Sequence, residues 1–323
     1  MRVFVTGGSG FLGGHLLRAL TAEGHSVRAL ARSTAAADTV TGRGAEAVRG
    51  GLLDPVALRS GMADCDAVVH AAAFTGQWGP RSDFVRVNVA GSAAVVRAAQ
   101  EAGVPRLVHV SSEAVLADGH PLRMADESRP RPASPVGEYA RTKGLAEDLV
   151  LAASSAELTT LAVRPRLVWG PGDTTVLPAV VDAARRGRFA WVDGGHYLTS
   201  TCHAANASAG ILAALRRGAG GRAYFLTDGE PVEFRTFLTS LAATRNTVLP
   251  DRSVPRRVLS ATALTTETVW RLLRLRGEPP VTRTFVALSA QEMTVDDSAA
   301  RRELGYRPVL TRDQGLKQLA ESE

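Results

Sequence analysis

The sequence predicts an α/β protein, a doubly wound parallel sheet followed by a smaller α/β C-terminal lobe. Three observations carry this. Through residue 165, short apolar runs alternate with stretches of helical spacing. The runs are near-continuously apolar, as strands covered on both faces must be. A glycine-rich turn joins the first run to the first helix.

"RVFVT" (2–6) reads as a buried strand, followed by "GGSGFLGG" and the helical "HLLRALTAEG". "HSVRALAR" is the second strand, "AEAVRGGLLD" a third ending in a loop, and "CDAVVHAAA" a fourth. An Ala- and Val-rich helix spans 83–102, "PRLVHVSS" is the fifth strand, 138–153 is helical, and "LTTLAVRP" is the sixth strand. "ESRPRPASPVG" (127–137) is a loop. Beyond "VWGPGD", prolines 250, 255, 279 and 280 break the pattern into short elements. The expected division is a dinucleotide-binding domain over 1–168, to which some later segments return, and a mainly substrate-binding lobe over 169–323.

At 323 residues, 45% hydrophobic and 22% charged, the chain can bury a large core. Cys65 and Cys202 supply neither a disulfide framework nor a metal cluster. "MRVFVTGGSG" lacks the apolar region of a signal peptide, and no stretch has the ~18 uninterrupted apolar residues of a membrane span. A cytoplasmic location is expected, with no metal. The net charge of +6 comes from scattered arginines that alternate with acids and have no interleaved aromatics, so nucleic acid is excluded as a partner. Residues 256–276 read as a basic amphipathic helix, expected to cover a substrate pocket rather than lie on a membrane surface.

Gly7, Gly10 and Gly13 are spaced G-x-x-G-x-x-G between a strand and a helix. Glycines there permit a tight turn and close approach to a pyrophosphate, and the helix start supplies free N–H groups. The fold expected is therefore Rossmann-type, with Ser9, Phe11 and Leu12 completing the cradle. At the second strand end an acid would hold the ribose 2′-hydroxyl of NAD(H). Here Ala31 is followed by Arg32 and Ser33, and no Asp or Glu occurs in 24–37. Arg32 is read as a clamp for the 2′-phosphate of NADP(H), with NAD(H) the lesser alternative. Asp54, beside Leu53, is placed either to accept from the adenine amine or to cap the helix starting at Pro55. Ala71, Ala72 and Ala73 are expected along the cofactor.

"EYARTKG" holds Tyr139 and, one helical turn later, Lys143. Of the 38 Lys and Arg residues only Lys143 and Lys317 are lysine. A compact ammonium beside a tyrosine favours its ionised form and should lower its pKa toward neutrality, readying it for proton transfer.

The glycine loop, "VVHAAA", "HVSSEAV", Tyr139-x-x-x-Lys143 and "VRPRLVWGPGD" together resemble the extended short-chain dehydrogenase/reductases over essentially the whole chain. "SSEAV" and "RPRLVWGPGD" are most similar to the 3β-hydroxysteroid dehydrogenase and dihydroflavonol reductase branch. With "GRAYFLTDGEP" and "WRLLRLRGEPPVTR" they look similar to bacterial 2-alkyl-3-ketoalkanoic acid reductases. The resemblance implies a catalytic Ser112, Tyr139 and Lys143, with Ser111 on the cofactor side, Pro165 against the nicotinamide carboxamide and a more structural Asn88. It also implies that the lysine reaches the nicotinamide ribose.

The expected activity is NADPH-dependent reduction of a ketone, or oxidation of the matching alcohol, on an apolar keto-acid, steroid-like or polyketide-like substrate. Phe74, Trp78, Glu113, Trp169, Trp191 and Tyr197 are expected to face the substrate beside Ser112, with Arg166 anchoring a carboxylate. The alternatives are a sugar-nucleotide epimerase or dehydratase and a non-catalytic NADP sensor. Ala114 removes the second acid a dehydratase needs, and the intact Ser-Tyr-Lys set argues against a sensor. A homodimer stays open.

Overall fold

A computed structural model describes residues 1–322. Strand β1 (Arg2–Thr6) leads into α1 (Phe11–Ala22), β2 (Ser26–Ala31) into α2 (Thr34–Thr41), β3 (Glu46–Arg49) into α3 (Pro55–Met62). β4 (Ala67–His70) precedes α4 (Arg81–Phe84), a π-helical turn (Val85–Ala90) and α5 (Gly91–Glu101). β5 (Arg106–Val110) is followed by a 3-10 turn (Glu113–Leu116), β6 (Leu122–Ala125) and α6 (Gly137–Ala152). Next come β7 (Thr159–Pro165), β8 (Val168–Trp169), α7 (Val176–Arg185), β9 (Trp191–Val192), β10 (Leu198–Thr199), β11 (Cys202–His203), α8 (Ala204–Arg217) and β12 (Ala223–Leu226). β13 (Val232–Glu233), α9 (Phe234–Ala243), β14 (Ser253–Val254), α10 (Arg256–Leu272), α11 (Arg283–Ser289), β15 (Met293–Val295), a second π-helical turn (Ala300–Leu304) and α12 (Arg312–Glu321) complete the chain.

Seven parallel strands form the central sheet in the order β12-β7-β5-β4-β1-β2-β3. The order reverses at β1, so the crevice beyond the carboxyl ends of β1 and β4 is where such sheets bind ligands. One face buries Val3, Val5, Leu16, Val69, Val108 and Ile211; the other buries Phe4, Leu58, Val68, Val95 and Leu107. Alternate residues of one strand thus serve opposite cores, which is why the runs are continuously apolar.

The strands are shorter than their apolar runs. β4 stops at His70 and β5 at Val110, leaving Ala71–Ala73 and Ser111–Ser112 as irregular backbone at the crevice. The helix expected over 83–102 begins instead with α4 and a π turn that carries Asn88, a distortion that often marks functional positions. Beyond residue 168, α8 packs on α1 and β12 completes the central sheet, while β6 joins a four-stranded sheet, β13-β10-β15-β6. These two sheets therefore both draw on chain from both sides of residue 168.

Candidate active site

The loop from Gly7 to Gly10 closes with the Gly10 amide donating to Gly7 O (3.0 Å), and α1 starts with no side-chain cap. Gly7 has φ +79°, and a Cβ there would meet the Ala72 amide nitrogen at 2.7 Å. A Cβ on Gly13 would overlap Gly7 O. The loop is thus a tight cradle with uncapped N–H groups, and these residues fit a dinucleotide pyrophosphate. Arg43, beyond the reach of the sequence reading, lies over this loop: its Nη1 donates to Gly8 O (2.8 Å) and Gly10 O (3.1 Å). His15 Nε2 donates to Pro171 O (2.7 Å), tying α1 to the turn after β8.

At the end of β2, Arg32 is exposed and forms no ion pair among the described residues. Ser33 caps α2, accepting from the Ala36 amide (3.2 Å). Asp54 caps α3 through Oδ1, accepting from Val56 (3.1 Å) and Ala57 (3.0 Å). Its second oxygen makes neither cap bond. Leu53 is half-exposed, and Ala71–Ala73 are partly buried beside Gly7.

Ser111 is buried with its hydroxyl unpartnered. Ser112 starts the 3-10 turn, accepting from the Ala114 amide (3.2 Å), and donates to Glu113 Oε2 (2.7 Å). The Tyr139 hydroxyl faces Ser112 and Glu113. Burial, reinforced by the Glu113 charge and partly offset by Ser112, pushes the phenol up to about 12. Lys143 is 2% exposed; its Nζ donates to Val110 O (2.6 Å) and to His109 Nε2 (3.3 Å). Burial brings it down to about 8, and Glu147 partly offsets that. The expected downward shift of the tyrosine is therefore reversed here. The ammonium is engaged with β5, and burial with a carboxylate neighbour governs the phenol. Tyr139 is held as the protonated acid, and one N–H of Lys143 stays available.

A buried polar chain supports this geometry. The Ala72 amide donates to Thr6 Oγ1 (3.2 Å), which bonds His70 Nδ1 (2.7 Å); His70 Nε2 bonds Ser92 Oγ (2.9 Å), which donates to Asn88 O (2.6 Å). Asn88 accepts from the Phe74 amide (2.7 Å) and donates to Phe74 O (3.1 Å) and Thr142 Oγ1 (3.0 Å). It pins the 74 loop to the helix carrying Tyr139 and Lys143. The sequence cue for His70 and His109 was a histidine inside an apolar strand run.

Arg166 is not a free anchor. It is 3% exposed, pairs through Nη1 with Glu113 Oε1 (3.2 Å), and donates through Nη2 to Leu288 O (2.7 Å) and Thr199 Oγ1 (3.3 Å). Leu167, with φ +44°, turns the chain directly after it. Tyr197 is half-buried and donates to Ser289 O (2.7 Å). Phe74 packs edge-on against Phe84 (4.6 Å), and Trp78 lies under the Arg271 guanidinium (5.1 Å).

Two of the expected substrate contacts are core residues instead. Trp169 is fully buried, donates to Asp228 Oδ2 (2.7 Å) and packs on His203 and Phe237. Trp191 is buried between Phe189 and Arg235. Both belong to the lobe's own core, with Leu177, Phe237, Leu238 and Leu241. Pro165 is buried at the end of β7, in register with Leu226.

Residues 4–256 match the 3-beta hydroxysteroid dehydrogenase/isomerase family. The chain belongs to that family. It is similar to a 4-hydroxy-2-methyl-3-oxo-4-farnesyl-3,4-dihydroquinoline-1-oxide ketoreductase of Stigmatella aurantiaca, 49% identical over 322 residues that span 100% of this chain and 96% of the relative. It is also similar to a 2-alkyl-3-oxoalkanoate reductase of Stenotrophomonas maltophilia (strain K279a), 38% identical across 100% and 99% of the two chains. Among solved structures, gox2253 superposes with a TM-score of 0.79 at 29% identity, covering 99% of this chain and 98% of that one. The dTDP-glucose 4,6-dehydratase DesIV of Streptomyces venezuelae, at 24% identity and TM-score 0.77, shares the fold (99% and 96% covered).

This member of the 3-beta hydroxysteroid dehydrogenase/isomerase family is an oxidoreductase of CH–OH/C=O groups that depends on a nicotinamide dinucleotide. The epimerase alternative is the weaker one, and the non-catalytic sensor is set aside. No helix among the described residues is long and apolar enough to cross a membrane.

Proposed function

We propose that the protein is an NADPH-dependent ketoreductase for a neutral, apolar ketone, with Ser112, Tyr139 and Lys143 as its catalytic residues. The observation that carries the substrate class is the buried Glu113–Arg166 pair beside Ser112. A buried guanidinium already matched by a carboxylate offers a second carboxylate little, because its entry would break that pair or bury an uncompensated charge. The 49% identical relative, named for a farnesylated dihydroquinoline oxide, supports a bulky ketone without a carboxylate. NADPH rather than NADH is supported by the exposed Arg32 at a strand end without an acid.

A nicotinamide dinucleotide on the glycine loop supplies the hydride. The chain's own residues supply the proton and hold the ketone. Tyr139, a protonated acid near neutral pH, donates to the oxygen that becomes the alcohol. Ser112 turns its proton from Glu113 toward that oxygen as the ketone enters. Lys143, fixed by Val110 O and His109, keeps its third N–H for the ribose or for Tyr139.

The test follows cofactor oxidation with a 2-alkyl-3-keto acid and with its methyl ester, for wild type and Glu113→Gln, and measures both cofactors on wild type and Arg32→Ala. The ester should be the better substrate of the wild type, and Glu113→Gln should improve the acid relative to the ester. Arg32→Ala should weaken NADPH binding by about 1.5–3 kcal/mol with little effect on NADH. A wild-type preference for the acid would overturn the substrate class, and an NADH preference would overturn the cofactor.

A further inference from the structure

Helix α10 has two faces with different partners. Its inner face covers the site. Arg256 Nη2 donates to Gly119 O (2.6 Å), Arg271 lies over Trp78, and Ala263 and Glu267 are buried. Glu267 accepts from Arg283 at the start of α11 (2.9 Å), Thr282 bonds Gln77 (3.2 Å), and Thr284 packs against Gly137 at the start of α6. The α10–α11 pair thus seals the 74–78 loop and the helix of Tyr139 and Lys143.

The outer face packs against nothing among the described residues. At 100° per residue, Val258, Ala261, Leu264, Thr265, Thr268, Val269 and Leu272 form one stripe. Within it Val258 is 56% exposed, Leu264 55% and Leu272 77%, and Leu273 (67%) and Leu275 (42%) extend it beyond the helix. Six of the sixteen large apolar side chains exposed among the described residues fall in 258–275, too dense for scattered surface leucines. Around them Arg257, Arg274 and Arg276 are exposed, against a single exposed acid, Glu278; the other acid of the segment, Glu267, is buried and paired with Arg271 and Arg283.

An apolar stripe framed by arginines is the pattern of a helix lying in the plane of an anionic bilayer, leucines in the acyl boundary and guanidinium groups at the headgroups. A second copy of this chain would bring the same arginines face to face, like charge on like charge, which disfavours it as the occupant. We propose that the outer face of α10, with the Leu272–Arg276 tail, docks this protein on an anionic membrane surface. The helix that closes the cleft would then also sit where an apolar ketone dissolves. That consequence, unlike the docking itself, rests on the ketoreductase reading.

Flotation of the full-length protein with vesicles of phosphatidylcholine, with and without phosphatidylglycerol, tests it without any turnover. Wild type should float with the anionic vesicles, less so at high salt. Leu272→Asp/Leu273→Asp should abolish binding. Arg274→Gln/Arg276→Gln should weaken it by on the order of tenfold or more, at ~1 kcal/mol per arginine. Unchanged melting temperatures would show that the variants fold. Wild type that ignores both vesicle types overturns the proposal. So does a concentration-dependent dimer that Leu272→Asp/Leu273→Asp dissolves, because the face would then belong to a second copy. Loss of the reductase reading would leave the flotation result standing.

Discussion

Lys143 shows function bearing on stability at one residue. The spacing from Tyr139 was plain in the sequence. The partners of Lys143 were not, because Val110 O and His109 come from a strand more than thirty positions earlier. A buried lysine at about 8 against an ordinary 10.5 binds its proton less well folded than unfolded. Between those values the unfolded chain holds more protons, so this group's contribution to stability rises with pH through that window, and below about 8 it is a cost. Lys143→Met should therefore raise the melting temperature of the unliganded protein at pH 7 while abolishing turnover. At about 1.4 kcal/mol per pKa unit the gain is at most a few kcal/mol, less the lost bond to Val110 O. The advantage of the variant should shrink between pH 8 and 10. A Lys143→Met protein that is both active and less stable than wild type at pH 7 would contradict the reading.

The glycine turn is the element that sequence reading captures best, because its requirement is steric and local. Gly7 needs its positive φ, and Gly13 lies where any Cβ overlaps Gly7 O. The six apolar runs also correspond to central strands, since period and composition are local signals. The strand ends were not legible. They are set by where ladder pairing stops, and that depends on neighbouring strands. The π turn at Val85–Ala90, whose Asn88 bonds Phe74 and Thr142, is likewise encoded by no helical spacing. Gly13→Ala should leave the sheet folded and raise the Kd for NADPH by roughly 5- to 150-fold, since overpacking of this kind costs about 1–3 kcal/mol. Gly51→Ala, where an added Cβ meets nothing within 4 Å, should bind like wild type. Isothermal titration of both against wild type decides it; equal affinity for Gly13→Ala would move the cofactor off this loop.

At the scale of the molecule, the second lobe was the least legible part, and Trp169 and Trp191 show why. Its strands are mostly two or three residues long, and its larger sheet pairs β6 with β15, some 170 positions apart. Nothing local told a pocket tryptophan from a core one. The same long-range wiring turned Arg166 from an expected anchor into a strut. It joins the turn after β7 to Glu113 beside the catalytic serine, to Thr199 in β10 and to Leu288 in α11. Removing one partner of such a buried pair strands the other charge, whereas replacing both is far milder. Arg166→Met should thus lower stability by about 3–5 kcal/mol, and Glu113→Gln should also destabilise. The double variant should cost less than the sum of the two single changes, with a coupling energy of about 1–3 kcal/mol. Urea unfolding of the four proteins measures that cycle. A carboxylate ligand sharpens it. A 3-keto acid should raise the melting temperature of Glu113→Gln, where the guanidinium lacks its partner, more than that of the wild type. Additive single effects, or equal stabilisation of both proteins by the acid, would mean that Glu113 does not hold Arg166 closed to anionic substrates.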